Sequence, residues 1–290
     1  MYLKLILEFL VFNFDSLNHN WRIYMKRILN ICVCMFFAFC LLVSCSSNAS
    51  NRQDKEKLKI GVTSIPHGEI LENLRDIFDL DFEIINYIDY EALNNDLLNG
   101  KIDGNFFQTR EYLNNFNLNS EVKLIELAEV HVEPLIIYSN KYKSVDKLEE
   151  GDVIYIPNDP VNRDRALKLL EQANLIKLMM DFGEQRYVVA ENPKNLVMNE
   201  VEVNSIPSFY NEGDLVVMNT NVALENMIFP HISGIFYENS FSDEDKVNVF
   251  VVREDMRTSV KLKEIAHFLN SYETFKFINE KYKGFVKPVF

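Results

Sequence analysis

From Leu58 onward the chain alternates between short apolar segments and segments whose apolar residues recur at helical spacing. LKIGVTS has the pattern of a buried strand, and the segment after it places five apolar residues on one helical face, Ile70, Leu71, Leu74, Ile77 and Phe78. FEIINYI, ALNNDLLNG and KIDGNFF continue the alternation as strand, helix and strand. Such alternation predicts an α/β fold containing parallel strands.

The alternation then starts again, which predicts two lobes. We expect residues 58–138 plus 247–290 to form the first lobe and residues 139–246 to form the second. Two strands, about Leu135–Ser139 and about Val247–Val252, are placed to cross between them, and two helices, Val260–Leu269 and Tyr272–Tyr282, close the chain. Two α/β lobes joined by two strands form a clamshell that buries a small ligand in its cleft.

The stretch from Met25 to Cys45 has the features of a lipoprotein signal. Two basic residues precede an apolar run that ends in Leu42-Val43-Ser44-Cys45, so we expect residues 25–44 to be removed and Cys45 to be lipidated. The alternative is a retained transmembrane helix, although the 17 uncharged residues from Ile28 to Ser44 are few for a bilayer span. Acylation predicts a protein anchored to the cell membrane and facing the periplasm or the cell exterior.

The segments on either side of this signal have separate interpretations. Residues 1–24 are interpreted as an upstream extension, with translation starting at Met25, and residues 45–57 as a flexible tether. All four cysteines lie between residues 32 and 45. The chain after Cys45 therefore has no thiol for disulfides, catalysis or metal binding.

Charge and motifs narrow the function. Residues 1–44 contribute +2 to a formal net charge of −13, which leaves −15 for residues 45–290 and argues against a nucleic-acid partner. No nucleophile elbow, phosphate loop, dinucleotide fingerprint or H-E-x-x-H motif occurs in the sequence. His67, His131, His231 and His267 are widely separated in sequence, so we expect no metal site and no cofactor. Serine or carboxylate catalysis stays open, although no motif supports it.

The most site-like segment runs from Tyr155 to Leu170. Asp159 is placed to cap a helix whose first turn contains Pro160, and Arg163 and Arg165 follow within two turns. A helix N-terminus beside an arginine suits a carboxylate ligand. Solvated surface arginines are an equally good interpretation of the same residues.

Two further segments place polar or aromatic residues after a strand. Phe106 and Phe107 should point to opposite faces of their strand, and Tyr112 follows them, so these rings form either a pocket wall or core. Asn219 and Asn221 lie at a strand-to-helix turn, where they cap the helix or bind a polar ligand.

Several short segments occur together in a specific order. They are KIGVTSIPHGEILE, IDGNFFQ, HVEP, IPNDP, ENPKN, NTN and VVRED. In this order the chain from Leu58 to Phe290 resembles the NlpA/MetQ-like family of methionine-binding lipoproteins, which are substrate-binding proteins of ATP-driven importers. The resemblance implies a two-lobe periplasmic-binding-protein fold with two crossing strands, a monomer, no catalysis, and partnership with an ABC permease and its ATPase.

The resemblance also implies a ligand and its contacts. The ligand would be L-methionine or a related amino acid or short peptide, with Arg165 on its carboxylate and Asn162 and Asn219 beside its backbone. Tyr90, Phe107 and Tyr112 would line an apolar slot for the thioether side chain. His131 matches a further position of the family's binding site, with no role assigned.

Some slot residues differ from the family pattern. Thr109 stands where the family usually has histidine, and Val222 stands where it often has tyrosine. Two other functions therefore stay open: a surface adhesion or scaffold lipoprotein that has lost its ligand, and an enzyme on the same fold.

Overall fold

The structure is a computed structural model that describes residues 57–239 and 243–290. The predicted upstream extension, the signal, Cys45 and all of the tether except Lys57 lie outside these ranges. Within them, no helix is both long enough and apolar enough to cross a bilayer.

Strands and helices alternate along the described chain. The strands are β1 (Leu58–Val62), β2 (Phe82–Asn86), β3 (Gly104–Thr109), β4 (Leu124–Val132), β5 (Leu135–Tyr138), β6 (Val153–Pro157), β7 (Lys177–Asp181), β8 (Arg186–Glu191), β9 (Val197–Val201), β10 (Leu215–Asn219), β11 (Gly234–Tyr237), β12 (Val247–Arg253) and β13 (Lys287–Pro288). The α-helices are α1 (Glu69–Phe78), α2 (Tyr90–Leu98), α3 (Arg110–Leu118), α4 (Pro160–Gln172), α5 (Thr220–Glu225), α6 (Pro230–Ser233), α7 (Val260–Leu269) and α8 (Tyr272–Tyr282).

These strands form two mixed sheets with the same internal order. The first sheet runs β13-β4-β12-β3-β1-β2, and the second runs β11-β5-β10-β6-β9. In the first sheet β1 lies between β2 and β3, and in the second sheet β6 lies between β9 and β10. Strand β1 is parallel to β2, and β6 is parallel to β9. Ligands bind at the carboxyl ends of parallel strands where the strand order reverses, which is beside β3 and β10 here.

Each sheet is buried on both faces. Helices α1, α7 and α8 cover one face of the first sheet, and α2 and α3 cover the other. In the second sheet, α4 and the β7-β8 ribbon cover one face, and α5 with the 3₁₀ segment Val203–Phe209 covers the other. Strands β5, β10 and β12 are accordingly mostly apolar and buried, as expected for strands between two helical layers.

The chain crosses between the sheets twice, once at Glu133–Pro134 and once between β11 and β12. Strand β5 pairs with β10 and β11, so it lies in the second sheet, although the sequence boundary after residue 138 places it in the first lobe. Because β12 and β4 are antiparallel to their neighbours, the sheets are mixed, with parallel pairing only in part.

The β7-β8 ribbon was not predicted from the sequence. The ribbon is half-exposed, with Met179 55% and Phe182 87% accessible, so no alternation of buried and polar residues marks it. The segment EVEVN, Glu200–Asn204, also has the pattern of a strand in the sequence, but strand β9 ends at Val201 because a 3₁₀ segment begins at Val203. Helices α7 and α8 have the predicted bounds, and Ser259 and Ser271 cap them.

Phe250 tests the core of the first sheet. Its side chain is 0% exposed on the central strand β12, so Phe250→Ala should lower the free energy of unfolding by about 3–5 kcal/mol. Urea unfolding followed by circular dichroism measures the change. Phe182→Ala, on the exposed turn of the β7-β8 ribbon, should change stability by only about 0.5 kcal/mol, and equal losses in the two variants would contradict this account of the core.

Candidate functional site

A small cavity lies between the two sheets where β3, β4, β10 and β12 meet helices α2 to α5. Its wall is formed by Tyr90, Phe107, Gln108, Thr109, Tyr112, Glu133, Asn162, Arg165, Asn219, Asn221 and Asn248. The free space between these side chains is about 20 Å³, which is enough for roughly one water molecule. A ligand of amino-acid size therefore requires the walls to move apart.

Three aromatic rings form the apolar wall. The ring centroids of Tyr90 and Phe107 are 5.5 Å apart, those of Phe107 and Tyr112 are 5.8 Å apart, and those of Tyr90 and Tyr112 are 6.3 Å apart. Phe106 points to the opposite face of β3 and packs in the main core, as the alternation along a strand requires. Of the two phenylalanines, Phe107 therefore faces the cavity.

A hydrogen-bonded contact closes the cavity across the two lobes. The Tyr90 hydroxyl on α2 lies 3.0 Å from Oδ1 and 2.7 Å from Nδ2 of Asn221 on α5. At the same boundary, the backbone N–H of Ile65 donates to Glu225 at 3.1 Å. These two contacts join the first lobe to the second beside the aromatic wall.

Arg165 lies in the cavity wall and is already paired. Its side chain is 3% exposed, and its Nε and Nη2 donate to the two carboxylate oxygens of Glu238 at 3.1 and 2.5 Å. Burial opposes ionisation of Glu238, but the Arg165 charge prevails and lowers the pKa of that carboxyl. A guanidinium has five N–H donors, so three remain outside this pair.

The other arginine of helix α4 points elsewhere. Arg163 donates through Nε to Glu200 at 2.7 Å and through Nη1 to Asp164 at 2.9 Å, and it is not in the cavity wall. Pro160 begins α4, and the Asp159 carboxylate accepts from the Asn162 backbone N–H at 3.0 Å. The predicted cap is therefore present, and the helix start places Arg165 inward.

Asn162 and Asn219 are joined in the cavity wall. The Asn219 amide donates to Oδ1 of Asn162 at 2.9 Å, and the Asn162 amide donates to Asp159 at 3.0 and 3.2 Å. Asn219 precedes α5 but makes no side-chain cap bond. Its own Oδ1 is buried and has no hydrogen-bond partner.

Behind the cavity lies a cluster of buried polar side chains. His131 Nε2 lies 3.1 Å from Oε1 of Glu133, and His67 Nε2 lies 3.1 Å from Oδ1 of Asn248. The two imidazole centroids are 5.0 Å apart, so the fold brings together histidines that are 64 positions apart in sequence. Their separation in sequence gives no indication of this contact.

The charge state of this cluster follows from its burial. Burial lowers the pKa of both histidines to about 3, with a further contribution from His131 in the case of His67, so both rings are neutral at pH 7. Burial raises the pKa of Glu133, against the opposing charge of Arg165 and a hydrogen bond from the Asn221 backbone N–H. His131 does not line the cavity, and it contacts Glu133 instead.

The same cluster has the donor set that a metal ion could use. Ligand atoms of His67, His131 and Glu133 lie within 4.8 Å of one another. Asn248 Oδ1 and Glu133 Oε1 accept hydrogen bonds, so the Nε2 atoms that face them are protonated and are not free ligands. The hydrogen bonds of this cluster therefore support the cavity wall by fixing Glu133 and Asn248 in position.

The structure thus brings six of the seven proposed ligand-binding residues to one cavity, and the seventh, His131, lies behind it. Gln108, Glu133, Asn248 and the partner Glu238 were not predicted from the sequence. Asn248 is the single polar residue of the apolar segment VNVFVV, and that contrast is the signal that could have found it. Glu133 closely follows another polar residue, His131, so no such contrast marks it.

The chain has clear relatives among known proteins. Residues 58–290 match the NlpA lipoprotein family. "Outer membrane lipoprotein 3" of Mannheimia haemolytica is 35% identical over 84% of this chain and 92% of that protein. "D-methionine-binding lipoprotein MetQ" of Escherichia coli O157:H7 is 33% identical over 84% of this chain and 91% of that protein.

A solved structure extends the comparison to the fold. A nutrient binding protein from Burkholderia cenocepacia, bound to methionine, superposes with a TM-score of 0.75 at 29% identity. The match covers 80% of this chain and 100% of that one. The predicted α/β fold of the periplasmic binding proteins is therefore confirmed.

The neutral histidines predict a stability that depends on pH. Their pKa values are lowered in the folded state, so below about pH 6.5 the unfolded chain takes up protons that the folded chain does not. The free energy of unfolding should fall on acidification by up to about 1.4 kcal/mol per pH unit for each ring. Glu133, whose pKa is raised, has the opposite sign and offsets part of this loss.

Urea unfolding at several values between pH 7.5 and 5 measures that dependence. We expect His131→Asn, which keeps a donor for Glu133, to reduce the slope by about half. A wild-type stability that does not change across this range would contradict the assignment of neutral buried rings.

Proposed function

The chain belongs to the NlpA lipoprotein family, and on that premise we propose that it is the substrate-binding component of an ABC importer for methionine. The relative from Escherichia coli is named as a D-methionine-binding lipoprotein, and the related structure from Burkholderia cenocepacia is bound to methionine. The proposal gives the chain a binding role and no chemical reaction.

The observation that supports this function best is the joint placement of Arg165 and the three rings. A buried guanidinium with N–H donors outside its ion pair suits a carboxylate. Tyr90, Phe107 and Tyr112 lie on the other lobe across the same cavity and suit a thioether side chain, because sulfur makes favourable contacts with aromatic rings. An amino acid with a flexible apolar side chain has both groups.

We assign roles within the site on this basis. Arg165 would bind the ligand carboxylate, and Asn162 and Asn219 would bind beside its backbone. Thr109 accepts the Tyr112 backbone N–H at 3.2 Å, which caps helix α3. The Thr109 side chain is smaller than the histidine usual in the family and so leaves more room for a ligand. The ligand screen should therefore include short peptides and amino acids with side chains bulkier than that of methionine.

Anchoring and partners complete the proposal. Acylation of Cys45 would hold the protein at the outer face of a membrane, and two or more acyl chains suffice for stable attachment. An ABC permease with its ATPase would receive the ligand from a monomeric binding protein. Membership of the family supports a role in an importer, and the sequence Leu42-Val43-Ser44-Cys45 supports the lipid anchor.

Calorimetric titration with L- and D-methionine tests the binding role. We expect a Kd in the micromolar range or tighter for at least one enantiomer, or about −8 kcal/mol or better. Because Arg165→Ala alone would leave Glu238 buried and unpaired, it is combined with Glu238→Gln. The double variant should bind at least about 100-fold more weakly, since the charged hydrogen bonds to the carboxylate are lost.

Arg163→Ala is the matched control on the same helix. Because Arg163 lies outside the cavity wall, the affinity of the Arg163→Ala variant for methionine should stay within about twofold of wild type. Normal affinity in the double variant would reject the role of Arg165. No heat with either enantiomer, and no thermal shift with any amino acid or methionine dipeptide, would favour the scaffold lipoprotein.

The anchor has its own measurement. Mass spectrometry of the membrane fraction should find an N-terminal peptide that begins at an acylated Cys45, and Cys45→Ser should release the protein from that fraction. A mature peptide that begins before Cys45 would contradict lipidation and favour the retained helix.

A further inference from the structure

Three buried amide side chains form a hydrogen-bonded cluster beside the aromatic wall of the cavity. Asn94 on helix α2 is 0% exposed, and Asn105 and Gln108 on strand β3 are 0% and 2% exposed. This amide cluster lies on the face of the first sheet where Leu93 and Leu97 of α2 pack in the apolar core. Burying amides in an apolar layer is costly unless their polar atoms are hydrogen-bonded.

Every polar side-chain atom of the amide cluster has a partner. Asn94 and Gln108 form a reciprocal pair, in which Nδ2 of Asn94 donates to Oε1 of Gln108 at 2.9 Å and Nε2 of Gln108 donates to Oδ1 of Asn94 at 2.8 Å. Asn105 donates to Oδ1 of Asn94 at 2.9 Å and to the Leu93 carbonyl at 3.3 Å. Its own Oδ1 accepts from Gln108 at 3.0 Å. All but the last of these bonds join helix α2 to strand β3.

A β-bulge in β3 directs Gln108 toward this cluster. Phe106 pairs with Phe250 of strand β12. Gln108 pairs with the preceding residue of β12, Val249, so a two-residue step on β3 lies opposite a one-residue step on β12. The extra residue on β3 is Phe107. Side chains alternate along a regular strand, whereas a bulge redirects them, and Phe107 and Gln108 accordingly both line the cavity.

Helix α2 supplies the other side of the aromatic slot. Tyr90 comes one helical turn before Asn94, so their side chains lie on the same face of α2. The ring centroids of Tyr90 and Phe107 are 5.5 Å apart across the slot. Asn94 and Asn105 lie behind the cavity wall and do not line it. The hydrogen bonds between α2 and β3 therefore fix the separation of the two rings from behind.

We propose that Asn94 and Asn105 are positioning residues of the binding site, which with Gln108 set the width of the aromatic slot and so limit the bulk of the ligand side chain that it accepts. They act through helix α2 and the bulge of β3, without touching the ligand. This inference rests on the proposed function and specifies how the same site selects among apolar side chains. A cluster that only stabilises the fold would leave that selectivity unchanged.

Calorimetry with L-methionine and L-ethionine, whose side chain is one methylene longer, tests this role. A slot of fixed width should bind ethionine at least about 10-fold more weakly than methionine in the wild-type protein. Asn94→Ala and Asn105→Ala remove bonds between α2 and β3, so the slot can widen and this ratio should fall by at least about fivefold. Asn105→Ser keeps a hydroxyl donor and acceptor and so disturbs folding less, and it should shift the ratio in the same direction by a smaller amount.

Asn192→Ala is the matched control in the second lobe. The Asn192 amide donates to the Leu196 carbonyl at 2.9 Å and accepts the Leu196 backbone N–H at 2.9 Å, and Asn192 lies outside the cavity wall. Its loss should lower stability in urea unfolding and leave the ratio of the two affinities unchanged.

An unchanged ratio in the folded Asn94 and Asn105 variants, or a wild-type protein that binds the two ligands equally well, would overturn the positioning role while the importer function stands. An equal change of the ratio in Asn192→Ala would overturn it as well. Failure of the wild-type protein to bind methionine would overturn the proposed function and this inference together.

Discussion

The buried ion pair between Arg165 and Glu238 is the interaction on which the arrangement of the site depends. Glu238 follows β11, where the chain leaves the second sheet, and its Oε2 also accepts the Leu135 backbone N–H at 3.0 Å, just after the first crossing. One carboxylate therefore ties helix α4 to both connections between the lobes. Removing either charge would leave the other uncompensated in a dry environment, at a cost of about 3–5 kcal/mol. The residue best placed to bind a ligand is thus also part of the junction between the lobes.

Much of this architecture could be predicted from local sequence signals. Asp159 and Pro160 mark the start of α4, and that start fixes the inward direction of Arg165 by helical periodicity. The strand alternation that separates Phe106 from Phe107 is equally local. The polar cluster could not be predicted in the same way, because His67, His131 and Asn248 come from three distant segments. Glu238 is similar: nothing in GIFYE indicates an arginine 73 positions earlier as its partner. The β7-β8 ribbon was missed for a different reason, since its half-exposed strands show no clear period.

The contact between Tyr90 and Asn221 holds the two lobes together and so controls the access of a ligand to the cavity. It joins α2 of the first lobe to α5 of the second, directly over the aromatic wall. Because the enclosed space is so small, ligand entry requires this contact to break and the lobes to separate. The chain crosses between the two sheets at Glu133–Pro134 and between β11 and β12, so separation of the lobes would bend the chain at those two places. Hydrogen bonds on the cavity wall then form again around the bound molecule.

The residues of the cavity wall are divided between the two lobes. Tyr90, Phe107 and Tyr112 belong to the first lobe, whereas Asn162, Arg165 and Asn219 belong to the second. A bound molecule contacts the cavity-wall residues of both lobes and so stabilises the closed arrangement of the lobes. Helix α3 of the first lobe and helix α4 of the second are in contact in this structure, so their separation would change whenever the lobes open. A surface that contacts both helices would therefore distinguish a closed form from an open one without contacting the ligand.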